Sequence, residues 1–180
     1  MHGASRVRTR SGSARRRGQP ETILEDSSNL LLRQLSQHPL VEPSLRLSGR
    51  EITWLPKQLF QLSYIENLYL SENLIEVLPE RFFEKLPMIK YLDLRSNQLT
   101  ELPSRGLKKH LNLEYLLVSN NKIKRLPKEL GEIDSLKAVS WHSNPLEYPS
   151  KEVLKQGTDE LKASMRADSI QENKQKVVLS

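Results

Sequence analysis

Residues 65–79 read IENLYLSENLIEVLP, and this stretch decides how the chain folds. Two copies follow: residues 89–103 read IKYLDLRSNQLTELP, and residues 113–127 read LEYLLVSNNKIKRLP. All three obey one template, L-x-x-L-x-L-x-x-N-x-[IL]-x-x-L-P. A fourth copy, Leu136, Val139, Trp141, Asn144 and Leu146, is shortened by a residue before Pro149. A degenerate first copy, Leu45, Leu47, Ile52 and Leu55, has Arg50 in the asparagine position. The prolines at 56, 79, 103, 127 and 149 are spaced by 23, 24, 24 and 22 residues. Self-similarity at such a period marks a stack of equivalent coils.

Each feature of the template has a physical role. In L-x-L, successive strand side chains face opposite sides, so the leucines point inward and the intervening residues outward. Asn73, Asn97, Asn121 and Asn144 follow the strands, where their amides can bond the backbone of the turn. The prolines, which lack an N–H, suit the passage from strand to return arm. One coil buries too little apolar surface to offset ordering some 23 residues. Stacking is therefore obligatory, and both ends need covers.

These residues resemble the leucine-rich repeat family over about residues 41–150. The Leu-Pro ending and the period are similar to the short intracellular repeats of Ras-suppressor and Scribble-like scaffolds. The resemblance implies an α/β fold: a leucine-rich repeat solenoid of about five repeats with a parallel concave sheet and helical caps at both ends. It also implies that the asparagines bond neighbouring repeats, and that Phe82 and Phe83 lie in the convex-side core.

Outside the repeats the composition changes. Residues 1–20 hold six arginines and no acid, so the other 160 residues carry 22 basic and 22 acidic side chains. The net charge of +6 therefore belongs to the tail, which is too polar to order itself and is expected to be disordered. Sharper readings of the tail are a nuclear-localisation or nucleic-acid patch, a transit peptide, or a substrate of a basophilic kinase. Ser11 and Ser13 each follow an Arg-x-Arg pair and are the candidate phosphorylation sites. Residues 21–43 are expected to form an N-terminal cap, with a short helix over 27–37 stopped at His38-Pro39. Residues 44–150 form the repeats. Residues 151–166 read as a capping helix with Ser150 as N-cap and Leu161 and Met165 on its apolar face. Residues 167–180 are expected to fray.

Catalysis is not expected. The chain has no cysteine, so thiolate zinc sites, disulfides and cysteine nucleophiles are excluded. No Walker A sequence, H-E-x-x-H or G-x-S-x-G occurs. His110 takes a slot that the repeat fills with an apolar residue, and it reads as a hydrogen-bonded core imidazole. Acid pairs such as Glu76 with Glu80 sit where carboxylates only solubilise. No metal or cofactor is expected. No run of about 18 apolar residues is present and the first 20 residues lack an apolar core, so neither a membrane span nor a secretory signal is expected. The expected setting is a soluble, monomeric protein in the cytoplasm, with the nucleus as alternative.

The outward strand positions form three columns across the sheet. They run Ser44, Asn67, Tyr91, Tyr115, Ala138; then Arg46, Tyr69, Asp93, Leu117, Ser140; then Ser48, Ser71, Arg95, Ser119, His142. Tyrosine and arginine are enriched at binding hot spots. The candidate protein-binding residues are therefore Tyr69, Tyr91, Asp93, Arg95, Tyr115, Leu117 and His142, although tyrosine is also simply a good strand residue. Trp141 is read as core, and Trp54 as packing in a return arm. The leading expectation is a non-enzymatic scaffold or adaptor in intracellular signalling, holding a protein partner on its concave sheet. The alternatives are a nuclear or nucleic-acid-associated protein, with weak contact through the tail, and a regulatory subunit of an enzyme such as a phosphatase.

Overall fold

The computed structural model describes residues 43–178. The tail with Ser11 and Ser13, and the expected N-terminal cap up to Glu42, lie outside the described residues. Five strands follow one another: β1 (Ser44–Arg46), β2 (Asn67–Tyr69), β3 (Tyr91–Asp93), β4 (Tyr115–Leu117) and β5 (Ala138–Ser140). They form one parallel sheet in the order β1-β2-β3-β4-β5. Leu45, Leu68, Leu92, Leu116 and Val139 stand in register across it. This is the alignment that the template's period requires.

The return arms differ in detail. Lys57–Gln61, Leu107–Lys109 and Lys128–Glu132 make 3₁₀ turns, while α1 (Phe82–Lys85) makes one α-helical turn. Each arm presents an apolar side chain inward: Leu59, Phe82 with Phe83, Leu107 and Leu130 are buried. The Phe82 ring meets Phe83 and Phe60 edge-on, at 5.2 and 6.1 Å. The core is thus a continuous apolar column between sheet and arms. Trp54 departs from the packing expected of it: it is 38% exposed. It shares the outward register of Val77, one residue before the Leu-Pro pair, so its indole lies on the rim.

The asparagines sew the coils together. Asn97 donates from Nδ2 to Leu70 O (2.9 Å), Leu94 O (3.1 Å) and Arg95 O (3.3 Å). Its Oδ1 accepts the N–H of Ile75 at 3.1 Å. Asn121 repeats the pattern one coil on, with Leu94 O, Val118 O and Leu99 N–H among its partners. The carbonyls of Leu70, Leu94 and Val118 therefore each accept two amides, one from their own coil and one from the next. The residue before each asparagine is held in the left-handed region: Glu72, Ser96, Asn120 and Ser143 have φ between 54 and 58°. That conformation costs a non-glycine residue roughly 1–2 kcal/mol. It persists because the asparagine behind it fixes the turn.

The C-terminal end is closed by α2 (Lys151–Leu154) and α3 (Thr158–Val178). Ser150 Oγ accepts from Val153 N–H, the expected cap. Leu161 and Met165 are fully buried against the last arm. Gly131 permits this approach, because a Cβ there would lie 2.8 Å from Met165 Cβ. The helix runs twelve residues beyond the expected limit at residue 166. Polar contacts hold the extension: Tyr148 Oη donates to Asp168 at 2.6 Å, Lys128 pairs with Glu172, and Ser169 is buried. Thr158 Oγ1 also accepts the N–H of Val139, which would otherwise face out from the sheet's last edge.

His110 holds two coils in register. Its Nδ1 accepts the N–H of Leu113 (3.2 Å) and its Nε2 faces Leu86 O (3.2 Å), so the neutral Nε2–H tautomer satisfies both. The imidazole is 5% exposed, and burial lowers its pKa from the ordinary value of 6.5. The unfolded chain therefore binds the proton more tightly than the folded one. The stability tied to the neutral ring is complete above pH 6.5 and is lost as pH falls through the depressed folded value. Melting temperature should thus drop between pH 7.5 and 5, and drop less steeply in His110→Leu. Equal pH dependence in the two proteins would remove this role.

Candidate functional site

The concave sheet gathers the aromatic residues into one row. The Tyr69 and Tyr91 rings lie 5.3 Å apart with planes tilted by 38°, and Tyr91 and Tyr115 lie 5.9 Å apart at 41°. Cations close both ends: the Arg46 guanidinium sits 4.1 Å over the Tyr69 ring, and Lys137 Nζ lies 5.9 Å from the Tyr115 ring. Parallel register explains the row. Tyr91 and Tyr115 are direct partners, while Arg46 and Tyr69 are partners in the adjacent column. Such ring pairs add roughly 0.5–1.5 kcal/mol each beyond area burial, and an exposed cation over a ring about 0.5–1. The row is therefore held in one geometry by contacts within the chain. Burial and the nearby Asp93 carboxylate push the Tyr91 phenol above its ordinary pKa, so it stays a protonated donor.

The other expected site residues divide. Arg95 lies beside the row, its Nε and NH2 gripping Asp93 at 2.9 and 2.8 Å. Asp93 also accepts the backbone N–H of Arg95 at 3.1 Å and is only 2% exposed. It is therefore a buried brace for Arg95 and offers no contact surface of its own, a correction to its expected role. The carboxylate raises the pKa of the guanidinium, which stays charged. Leu117 is half-buried between Asp93 and Ser140 in register. His142 is exposed, lies beyond β5, and stacks on Trp141 at 6.1 Å. It is apart from the tyrosine row.

Sequence reasoning missed two members of the row, Arg46 and Lys137. Arg46 was legible in principle, since it shares a column with Tyr69. Lys137 precedes its strand and belongs to no outward column. A charged ladder explains its placement: Lys90 pairs with Glu66 at 2.8 Å and Lys137 with Glu114 at 2.6 Å, along the edge where the strands begin. Exposed pairs of this kind add little stability. They do neutralise those lysines within the chain.

Chemically, the arrangement presents donors and apolar edges. Among the described residues, the hydroxyls of Tyr69, Tyr91 and Tyr115 make no internal hydrogen bond, and no group of three or more His, Asp or Glu is placed to hold a metal ion. No described helix is long and apolar enough to cross a membrane. The site is a preordered row of rings and hydrogen-bond donors, and the five coils that carry it form a leucine-rich repeat solenoid.

Comparison with known proteins agrees. Residues 43–99 match a family model described as leucine rich repeat, and residues 112–133 match a second model of the same description. The fold is similar to that of a leucine-rich repeat protein of Leptospira interrogans. That match has 30% identity and a TM-score of 0.54, and covers 64% of this chain and 35% of the other. It is also similar to the leucine-rich repeat domain of APL1B, with 26% identity, a TM-score of 0.54, and coverage of 72% and 36%. The BIR2 ectodomain from Arabidopsis thaliana shares the fold at 21% identity, with a TM-score of 0.50 and coverage of 58% and 69%. The chain thus spans about a third of the length of the first two structures. No curated protein matches the chain.

Proposed function

We propose that this chain is a non-enzymatic protein–protein interaction module that seats a partner on its concave sheet. The observation that supports this reading is the preordered row Tyr69–Tyr91–Tyr115, with Arg95 braced beside it. Holding rings in one geometry before contact lowers the ordering cost of binding. The 23–24-residue period and the Leu-Pro endings support kinship with the short repeats of Ras-suppressor and Scribble-like scaffolds, and hence an adaptor role in intracellular signalling. At finer grain, Ser44-Leu45-Arg46-Leu47-Ser48 and Pro145-Leu146-Glu147 resemble leucine-rich repeat-containing protein 27.

The test is the double variant Tyr91→Ala/Tyr115→Ala. Both side chains face outward, so the variant is expected to keep its fold by circular dichroism. It is expected to lose at least about 2 kcal/mol of partner affinity, the size of a hot-spot loss. Affinity capture from cells, with intact chain and double variant side by side, reads the result. An unchanged set of captured proteins would remove the proposal.

A further inference from the structure

We infer that the partner segment seated on the concave row is acidic. This rests on the concave-face reading above and adds to it the chemistry of the occupant.

Three cations border the row besides Arg46, and each already has a carboxylate. Arg95 is held by Asp93, Lys90 by Glu66 and Lys137 by Glu114. Arg46 has none among the described residues, and its side chain is exposed. Asp93 is the one acid at an outward position of the five strands, and it is buried beneath Arg95. Counted over the outward strand positions, one positive charge is uncommitted and no negative charge is; the exposed Glu72, in the turn after β2, stands near the already paired Arg95. Beside that charge stand three phenol hydroxyls with no internal partner among the described residues. Guanidinium and neutral phenols are all hydrogen-bond donors, and the complement of a row of donors is a row of acceptors. Carboxylates fit best, because a charge-assisted bond is about twice as strong as a neutral one.

Ring stacking argues for protein over single-stranded nucleic acid as the source of those acceptors. Nucleic-acid platforms bind bases on open aromatic faces. Here the faces are turned toward one another or toward Arg46 and Lys137, and the edges and hydroxyls are left for the partner. Arg46 stands on β1 and Tyr115 on β4, three strand spacings or about 14 Å apart. An extended acidic segment of about five residues covers that distance.

The full chain, isotopically labelled, would be titrated with three synthetic probes: a dodecapeptide alternating Glu and Leu, its Lys counterpart, and dT12. Amide NMR shifts read β1–β4 separately from the arginine tail, whose six positive charges attract polyanions without sequence preference. The expected result is saturable shifts at strand amides with the Glu peptide only. Kd at those sites should rise at least about fivefold in Arg46→Ala and more in Tyr91→Ala/Tyr115→Ala. Silent strand amides, an equal response to the Lys peptide, or strand shifts with dT12 of the same affinity would each overturn the inference. An unchanged Kd in Arg46→Ala, together with loss in the tyrosine variant, overturns the acidic partner alone and leaves the concave face standing. Strand shifts that survive in the folded tyrosine variant overturn both.

Discussion

Asn97→Ala is expected to destabilise the protein by on the order of 3 kcal/mol. The buried amide makes four contacts, and their loss is unequal. Leu70 O and Leu94 O keep a second amide, from Asn73 and Asn121. Arg95 O keeps the N–H of Glu72. The N–H of Ile75 keeps nothing, because Oδ1 was its acceptor. A buried donor left unsatisfied costs about 1–3 kcal/mol, and the lost bonds and small cavity add to it. Asn97→Asp should give no rescue. It restores an acceptor for Ile75 but sets a carboxylate oxygen against the carbonyls of Leu70 and Leu94. The denaturation midpoint in urea reads both variants. A midpoint for Asn97→Ala within about 0.5 kcal/mol of the parent would show that water replaces the amide and would refute the stitching role.

Gly106→Ala is expected to cost a similar amount by a different route. Gly106 has φ of +89°, where an L-residue is strained, and its missing side chain faces α1. A Cβ would stand 2.8 Å from the backbone N of Glu84, 2.9 Å from Glu84 Cγ and 3.2 Å from the carbonyl carbon of Phe83. Backbone cannot swing aside as a side-chain tip does, so arm and helix must part. Strain of roughly 1–3 kcal/mol and overpacking of roughly 1–3 kcal/mol combine here. Thermal melting of Gly106→Ala beside Gly49→Ala isolates the crowding, since Gly49 also has positive φ but has nothing within 4 Å of its Cβ position. Equal losses in the two variants would show that crowding against α1 has no cost.

The strand register was readable from the sequence because the proline spacing determines which residues become neighbours. Tyr91 with Tyr115 and Arg46 with Tyr69 follow from counting alone. Burial of Asp93 was not readable: it depends on Arg95 folding back two residues along the same strand edge, and alternation assigns both to the exposed side. The length of α3 was hidden for another reason. Its distal half is held by Tyr148 with Asp168 and Lys128 with Glu172, polar partners 20 and 44 residues apart that leave no apolar periodicity behind. The tyrosine row was visible as a composition, but its closure by Lys137 was not, since that lysine's place comes from its pairing with Glu114.

The asparagine amides all reach in one sense, from each turn back to the turn before it. Asn73 serves Leu47 O and Ile52 N–H, and Asn144 serves Val118 O and Ile123 N–H. A turn removed from the far end takes away groups that its predecessor needs. A turn removed from the near end withdraws backbone acceptors instead: Pro43 O serves the N–H groups of Glu66 and Asn67, and Ile52 O serves that of Leu74. The side-chain stitching is therefore polar along this molecule, while the backbone ladder couples both ways: fraying at the carboxyl-terminal lid leaves an upstream N–H such as that of Ile123 without its acceptor, so the packing of α3 guards the coils that precede it.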